Sequence, residues 1–187
     1  MTDREAVLTA PALLACPEPP GDWHTWLVES DHRFTGKTTC GAQWLLAQAL
    51  AGPEKSLWAV CAPTWDMARN SLEALIALTA PGDVESYARD RLDLALRNKA
   101  RIRGFSAESP DILRGHNLAG AWFDDAEGMR YYSFYRDALC LALRSGQKPR
   151  LVVTAERNRV GLIRDLEKKA VAGDEGVVVT VLPGRAS

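Results

Sequence analysis

At 187 residues, 47% of them hydrophobic, the chain is long enough for one well-buried α/β domain and too short for two comfortable ones. Its formal net charge of -1 excludes a grossly basic protein, so any contact with nucleic acid has to come from a local patch.

Residues 1–20 are expected to form an N-terminal arm, with a helical run from Glu5 to Ala15 stopped by Pro17-Glu-Pro-Pro20, which cannot continue a helix. The remainder, 21–187, is read as one domain. It opens on Gly21-Asp-Trp-His-Thr-Trp26, where Trp23 and Trp26 are placed either to stack on a nucleotide base or to cap the core. An apolar strand then runs from Trp26 into Asp31-His-Arg-Phe-Thr-Gly-Lys-Thr38, and a helix follows to Leu50, closed by Gly52-Pro53. Strand, loop and helix N-terminus together aim backbone N–H groups at a phosphate. Lys37 adds a positive charge and the Thr38 hydroxyl is suited to Mg²⁺. By itself Gly36-Lys37-Thr38 is also compatible with an ordinary turn before a helix, and the full pattern wants glycine where Asp31 stands.

Leu57 to Ala62 is a continuous apolar run, as in a strand covered on both faces, and a second helix spans Trp65 to Leu78 before Pro81-Gly82. Strand, helix, strand, helix predicts a parallel sheet with right-handed crossovers. The middle changes period: Leu92, Leu94 and Leu96, then Arg97-Asn98-Lys99, then Ala100, Ile102 and Gly104 predict a hairpin. Its Arg97, Lys99, Arg101 and Arg103 form the densest basic cluster in the chain, either a solvated strand face or a contact for DNA or phosphate.

Gly120-Ala-Trp-Phe-Asp-Asp125 is an apolar run ending in two carboxylates. Ligands of parallel sheets bind beyond the carboxyl ends of the strands, so these acids are expected to emerge beside Lys37. One would serve a metal and the other an attacking water. Helical character returns from Ser133 to Leu143, a strand is expected at Leu151 to Thr154, a short helix from Gly161 to Ala172 and a last strand from Gly176 to Leu182. The cysteines, Cys16, Cys40, Cys61 and Cys140, show no C-x-x-C spacing and are expected to be reduced thiols. No apolar stretch approaches the roughly 18 residues of a membrane span and no signal-like cleavage region is visible, so a soluble, non-secreted protein without a membrane partner is expected.

Taken in order, six segments resemble the ATPase domain of the large terminase subunit, the motor that pumps DNA into phage heads, in the forms carried by tailed phages and bacterial gene transfer agents. They are Gly21-Asp-Trp-His-Thr-Trp26, Gly36-Lys-Thr-Thr-Cys-Gly-Ala-Gln-Trp44, Ala62-Pro-Thr64, Phe105-Ser-Ala-Glu-Ser-Pro-Asp-Ile-Leu-Arg-Gly115, Ala121-Trp-Phe-Asp-Asp125 and Val152-Val-Thr154. The resemblance implies an α/β P-loop NTPase fold of the ASCE type, a mostly parallel central sheet flanked by helices with an inserted antiparallel hairpin. It implies ATP and Mg²⁺ as cofactors, held by Gly36, Lys37, Thr38 and Thr39, with Trp23 and Trp26 at the nucleotide. Thr38 and Asp124 would serve the metal. Asp125 would stand at the catalytic glutamate's place, Arg33 would match the arginine inside the family's loop, Arg114 would fall at an arginine finger presented to a neighbouring subunit, and Thr154 would begin the motif coupling hydrolysis to movement. Implied partners are double-stranded DNA, further copies of the chain in a ring, the portal and the small terminase subunit. The implied place is the bacterial cytoplasm, docked on the procapsid during packaging. The family's nuclease domain has no counterpart here, and no nuclease activity is expected.

Where the family's loop reads Gly-Gly-Arg-Gly-x-Gly-Lys-Thr, this chain has Asp31-His-Arg-Phe-Thr-Gly-Lys-Thr38, and Asp125 is one methylene shorter than glutamate. Asp31 would repel a triphosphate unless it points away. These departures motivate a second reading, a degenerate member without efficient hydrolysis that acts as an assembly or DNA-binding module. A third is an unrelated nucleotide-binding ATPase or kinase acting on a small substrate.

Overall fold

The structure is a computed structural model that describes residues 16–146, 148–157, 161–174 and 176–183; the helical run expected from Glu5 to Ala15 lies outside them. Eight strands form one sheet in the order β3-β4-β5-β2-β6-β7-β1-β8. They are β1 (Thr25–Ser30), β2 (Leu57–Ala62), β3 (Val84–Ala88), β4 (Asp93–Leu96), β5 (Arg101–Ser106), β6 (Gly120–Phe123), β7 (Arg150–Glu156) and β8 (Val177–Val181). All pairings are parallel except those of β3 with β4 and β4 with β5. The helices are α1 (Lys37–Ala51), α2 (Trp65–Leu78), the short α3 (Cys140–Ala142) and α4 (Gly161–Val171). The α/β sheet with its antiparallel insertion is thus the fold expected from the resemblance.

Alternation along each strand builds a core on both faces of the sheet. On β1, Trp26 and Val28 face the side packed by Leu45 of α1 and Leu72 of α2, while Leu27 joins Phe105, Phe123, Phe134 and Leu162 on the other side. A strand buried on both faces has no polar side to display, which is why β2 and β6 read as unbroken apolar runs. Glycine is required at α1 for a packing reason: a Cβ on Gly41 would strike the indole of Trp122. The helix therefore runs closer to β6 than any larger residue would permit.

Four features refine or overturn these expectations. First, β3 went unpredicted, because Val84-Glu-Ser-Tyr-Ala88 is half-exposed throughout and carries no apolar alternation; pairing with β4 makes it a strand. The predicted hairpin exists, but β5 also pairs with β2 in parallel register, Leu57 opposite Arg101, so it widens the main sheet. Second, the basic cluster is partly offset by two acids. Asp93, 7% exposed, accepts from Arg101 Nε at 3.1 Å and Arg103 Nη2 at 2.8 Å, and Lys99 pairs with Glu85 at 2.9 Å. Third, the helical character expected from Ser133 to Leu143 is present, as a π-helical segment, Phe134–Leu139, leading into α3. Fourth, Cys16 and Cys40 are joined in a disulfide, against the expectation of reduced thiols. The two are 24 residues apart, and only the passage of the arm's end across α1 brings them together, which no local spacing announces. Glu18 ties the same segment to β7 through Arg150 at 2.6 Å.

Candidate functional site

The topology places the loop after β1 and the acids after β6 at the carboxyl-terminal ends of parallel strands, with β7 between them. The loop is braced from inside. Ser30 Oγ lies 2.6 Å from the His32 carbonyl oxygen and 2.8 Å from Thr35 Oγ1. Lys37, 8% exposed, donates to Ser30 Oγ at 3.1 Å and to the His32 carbonyl at 2.9 Å. An ammonium has three N–H donors, so the third remains for a phosphate oxygen. Gly36 takes a left-handed φ of 94° at the N-cap of α1, with no side chain capping the helix. The first N–H groups of α1, on Lys37, Thr38 and the half-buried Thr39, therefore keep the anion-binding character of an uncapped helix start.

Asp124 is the hub. It is 2% exposed, held by its backbone N–H on the Cys61 carbonyl at 2.8 Å, and its carboxylate accepts three hydroxyls. Thr38 Oγ1 donates to Oδ1 at 3.3 Å, Thr154 Oγ1 to Oδ1 at 2.6 Å, and Ser71 Oγ to Oδ2 at 2.7 Å. Burial and the neighbouring Asp125 push its pKa up to about 6, while the hydroxyls of Thr154, Ser71 and Thr38 pull it back by stabilising the carboxylate. Thr154 is itself oriented, because Trp122 Nε1 donates to its Oγ1 at 2.8 Å, leaving its proton for Asp124 Oδ1 at 2.6 Å, with the Phe123 carbonyl farther off at 3.4 Å. The pair of hard oxygen donors, a threonine hydroxyl bonded to a carboxylate beside the Gly36-Lys37-Thr38 turn, is of a chemistry that would suit a magnesium ion.

Asp125 sits in the left-handed region, φ 48°, at the turn after β6. Burial raises its pKa, Lys37 lowers it, Glu156 raises it and Arg33 lowers it, which places the carboxyl within the electrostatic reach of the loop. Arg33 is exposed and pairs with Glu156 of β7 at 2.9 Å. Asp31 lies 3.9 Å from the Arg157 guanidinium, so its charge is partly offset. Phe34 occupies a left-handed φ of 59° with its ring 88% exposed, the conformation a glycine would take without strain. Arg114 lies on an exposed loop, paired with Asp111 at 2.8 Å, and touches none of these groups.

Trp23 and Trp26 are not a base platform. They are 3% and 0% exposed and pack edge to face with each other, Trp23 also against Trp44. Four strand residues separate Trp26 from the loop, about 13 Å at 3.3 Å per residue. The core-capping alternative is the one the structure takes. Conversely, Ser71 and Glu156 escaped the sequence reading. Ser71 left one faint signal, a hydroxyl on the same face of α2 as the buried Ala68, Leu72 and Leu75; Glu156 left none.

No known family's sequence profile matches the chain, and no curated protein does. Among solved structures the fold is that of large-terminase ATPase domains. The large terminase of bacteriophage HK97 superposes with a TM-score of 0.68 at 19% identity, over 87% of this chain and 36% of that one. The large terminase of a thermophilic bacteriophage gives 0.70 at 16%, over 86% and 40%, and has also been solved with ADP and with ATP-gamma-S. The ATPase domain of the Thermus phage P74-26 large terminase gives 0.62 at 21%, over 76% and 63%. The chain thus spans about two fifths of the whole terminases it superposes on. Among the described residues, no helix is long and apolar enough to cross a membrane.

Proposed function

We propose that this domain binds and hydrolyses ATP as the motor of a DNA-packaging machine of the terminase kind. The observation that carries the reading is the hydrogen-bonded bridge from loop to acid strand to neighbouring strand, Thr38 to Asp124 to Thr154, closed over the Lys37 loop. Such a bridge makes one carboxylate answer both to what the loop holds and to where β7 lies.

In the proposed mechanism the first N–H groups of α1 and the Lys37 ammonium hold the β- and γ-phosphates. Thr38 and Asp124 would hold a magnesium ion, which would supply charge neutralisation for the phosphate oxygens. Asp125 orients the attacking water and takes its proton, a task its raised pKa favours. Arg33 stands in the loop itself, and Arg114, being exposed, is free to reach the site of an adjacent copy. A neighbour's guanidinium there stabilises the charge of the transition state. DNA, a ring of copies, portal and small subunit complete the proposal on the strength of the fold, with the work done at the procapsid in the bacterial cytoplasm. Residues 21–187 would be the motor domain and residues 1–20 an arm, with no DNA cleavage.

The second reading, a domain that has kept the assembly surface and lost efficient hydrolysis, is favoured by the strained Phe34 and the shortened Asp125. Turnover of ATP, measured with and without DNA across protein concentration, separates the two. The motor reading expects saturable Mg·ATP binding lost in Lys37→Ala, and turnover that rises with concentration and vanishes in Asp124→Ala. Absence of binding, or binding indifferent to Lys37→Ala, refutes it. Binding without turnover leaves the degenerate module.

A further inference from the structure

Asp124 Oδ1 receives protons from the loop helix and from β7, whereas Oδ2 is held by a residue outside both. That residue is Ser71, midway along α2, 4% exposed and 2.7 Å from Oδ2. We infer that Ser71 is a positioning residue for the metal-side acid and that it makes α2 respond to occupancy of the phosphate site; this rests on the nucleotide-binding reading above.

Thr38 and Thr154 both donate to Oδ1, so in a side chain 2% exposed the second oxygen depends on another donor. Ser71 supplies it, which holds both oxygens of the carboxylate in place. Ser71 is suited to this because its hydroxyl also lies 3.0 Å from the Met67 carbonyl one turn back along the helix. Its proton has two buried acceptors within reach, and moving from one to the other leaves no donor stranded. The helix is firmly anchored, its N-cap Thr64 accepting from the Met67 N–H at 3.3 Å and its Leu72 and Leu75 fully buried. A change in the carboxylate on cation binding therefore acts on a rigid body of 14 residues. Partners that orient a metal ligand commonly change metal affinity by about 10- to 100-fold when removed.

The test is calorimetric binding of ADP to the full chain, with Mg²⁺ and with EDTA, in the wild type, Ser71→Ala and Ser71→Cys. The cysteine fills the site without a strong donor, so it separates a lost hydrogen bond from a lost volume. The factor by which Mg²⁺ tightens ADP binding should fall about 10-fold in both variants, with the affinity in EDTA unchanged. Hydrogen exchange of the α2 amides should slow on adding Mg·ADP in the wild type and not in the variants. An unchanged Mg²⁺ factor, or an equal loss of affinity with and without metal, overturns the inference while leaving nucleotide binding intact. A wild type that binds no ADP in either condition overturns the nucleotide reading and this inference with it.

Discussion

Replacing Gly41 by alanine tests whether the spacing of α1 and β6 is as tight as the geometry says. A Cβ there would lie against Trp122 Nε1, 2.5 Å from Cε2 and 2.6 Å from Cδ1, about 1 Å inside ordinary contact. The indole cannot rotate away freely, because it is fully buried and bonded to Thr154. Overpacking of this kind costs about 1–3 kcal/mol, and breaking the indole–hydroxyl bond adds about 1 kcal/mol. Against this, alanine in a helix gains about 1 kcal/mol over glycine. The packing cost wins, for a net loss of about 1–3 kcal/mol. Urea unfolding should show a lower midpoint with an unchanged slope. Adding Trp122→Phe, which removes the clashing nitrogen and its ring, should make the second substitution less harmful than it is alone. An unchanged or higher midpoint for Gly41→Ala would refute the close approach of helix and strand, and with it the reason Trp122 is aimed at Thr154.

Two further outcomes follow from side chains near the loop. Glu29 is 1% exposed, has no hydrogen-bond donor on either oxygen among the described residues and lies 3.3 Å from Arg157; burial and the facing Glu167 and Asp31 raise its pKa from 4.5 to about 7, with Arg157 opposing. A raised carboxyl pKa means the folded state holds its proton more tightly, so wild-type stability should fall as pH rises from about 4.5 to about 7. Glu29→Gln should lack that loss in chemical unfolding across the window, and an identical pH profile would count against the buried acid. Phe34→Gly removes a side chain that buries nothing and relieves a left-handed φ, so it should stabilise the fold by up to about 1 kcal/mol. A marked fall in melting temperature would show that the ring packs in solution.

Much of the site was legible because its signals are local. A strand running into Gly36-Lys37-Thr38, and a second ending in Asp124-Asp125, each declare their own geometry within a few residues, since loop conformation and helix start depend on neighbours in the chain. The same holds for β2, α2 and the turn at Arg97-Asn98-Lys99, whose periods match the elements found. What lay hidden depends on groups distant in sequence. Trp23 and Trp26 left both a base platform and a core cap open, with the core cap favoured, until packing placed them inside. Asp93 pairs with two members of the basic cluster, Arg101 and Arg103, and the polar β3 became a strand only through β4.

The sequence by itself determined that the Gly36-Lys37-Thr38 turn and the Asp124-Asp125 pair share one α/β sheet, because both are written in contiguous residues and sheet topology brings strand ends together. Only the tertiary structure decided which side chains hold Asp124, that Cys16 meets Cys40, and that Trp122 orients Thr154. Ser71 and Asp124 are 53 positions apart, Trp122 and Thr154 32. A hydrogen bond between such residues is fixed by how helices and strands pack, and a linear pattern carries no trace of that.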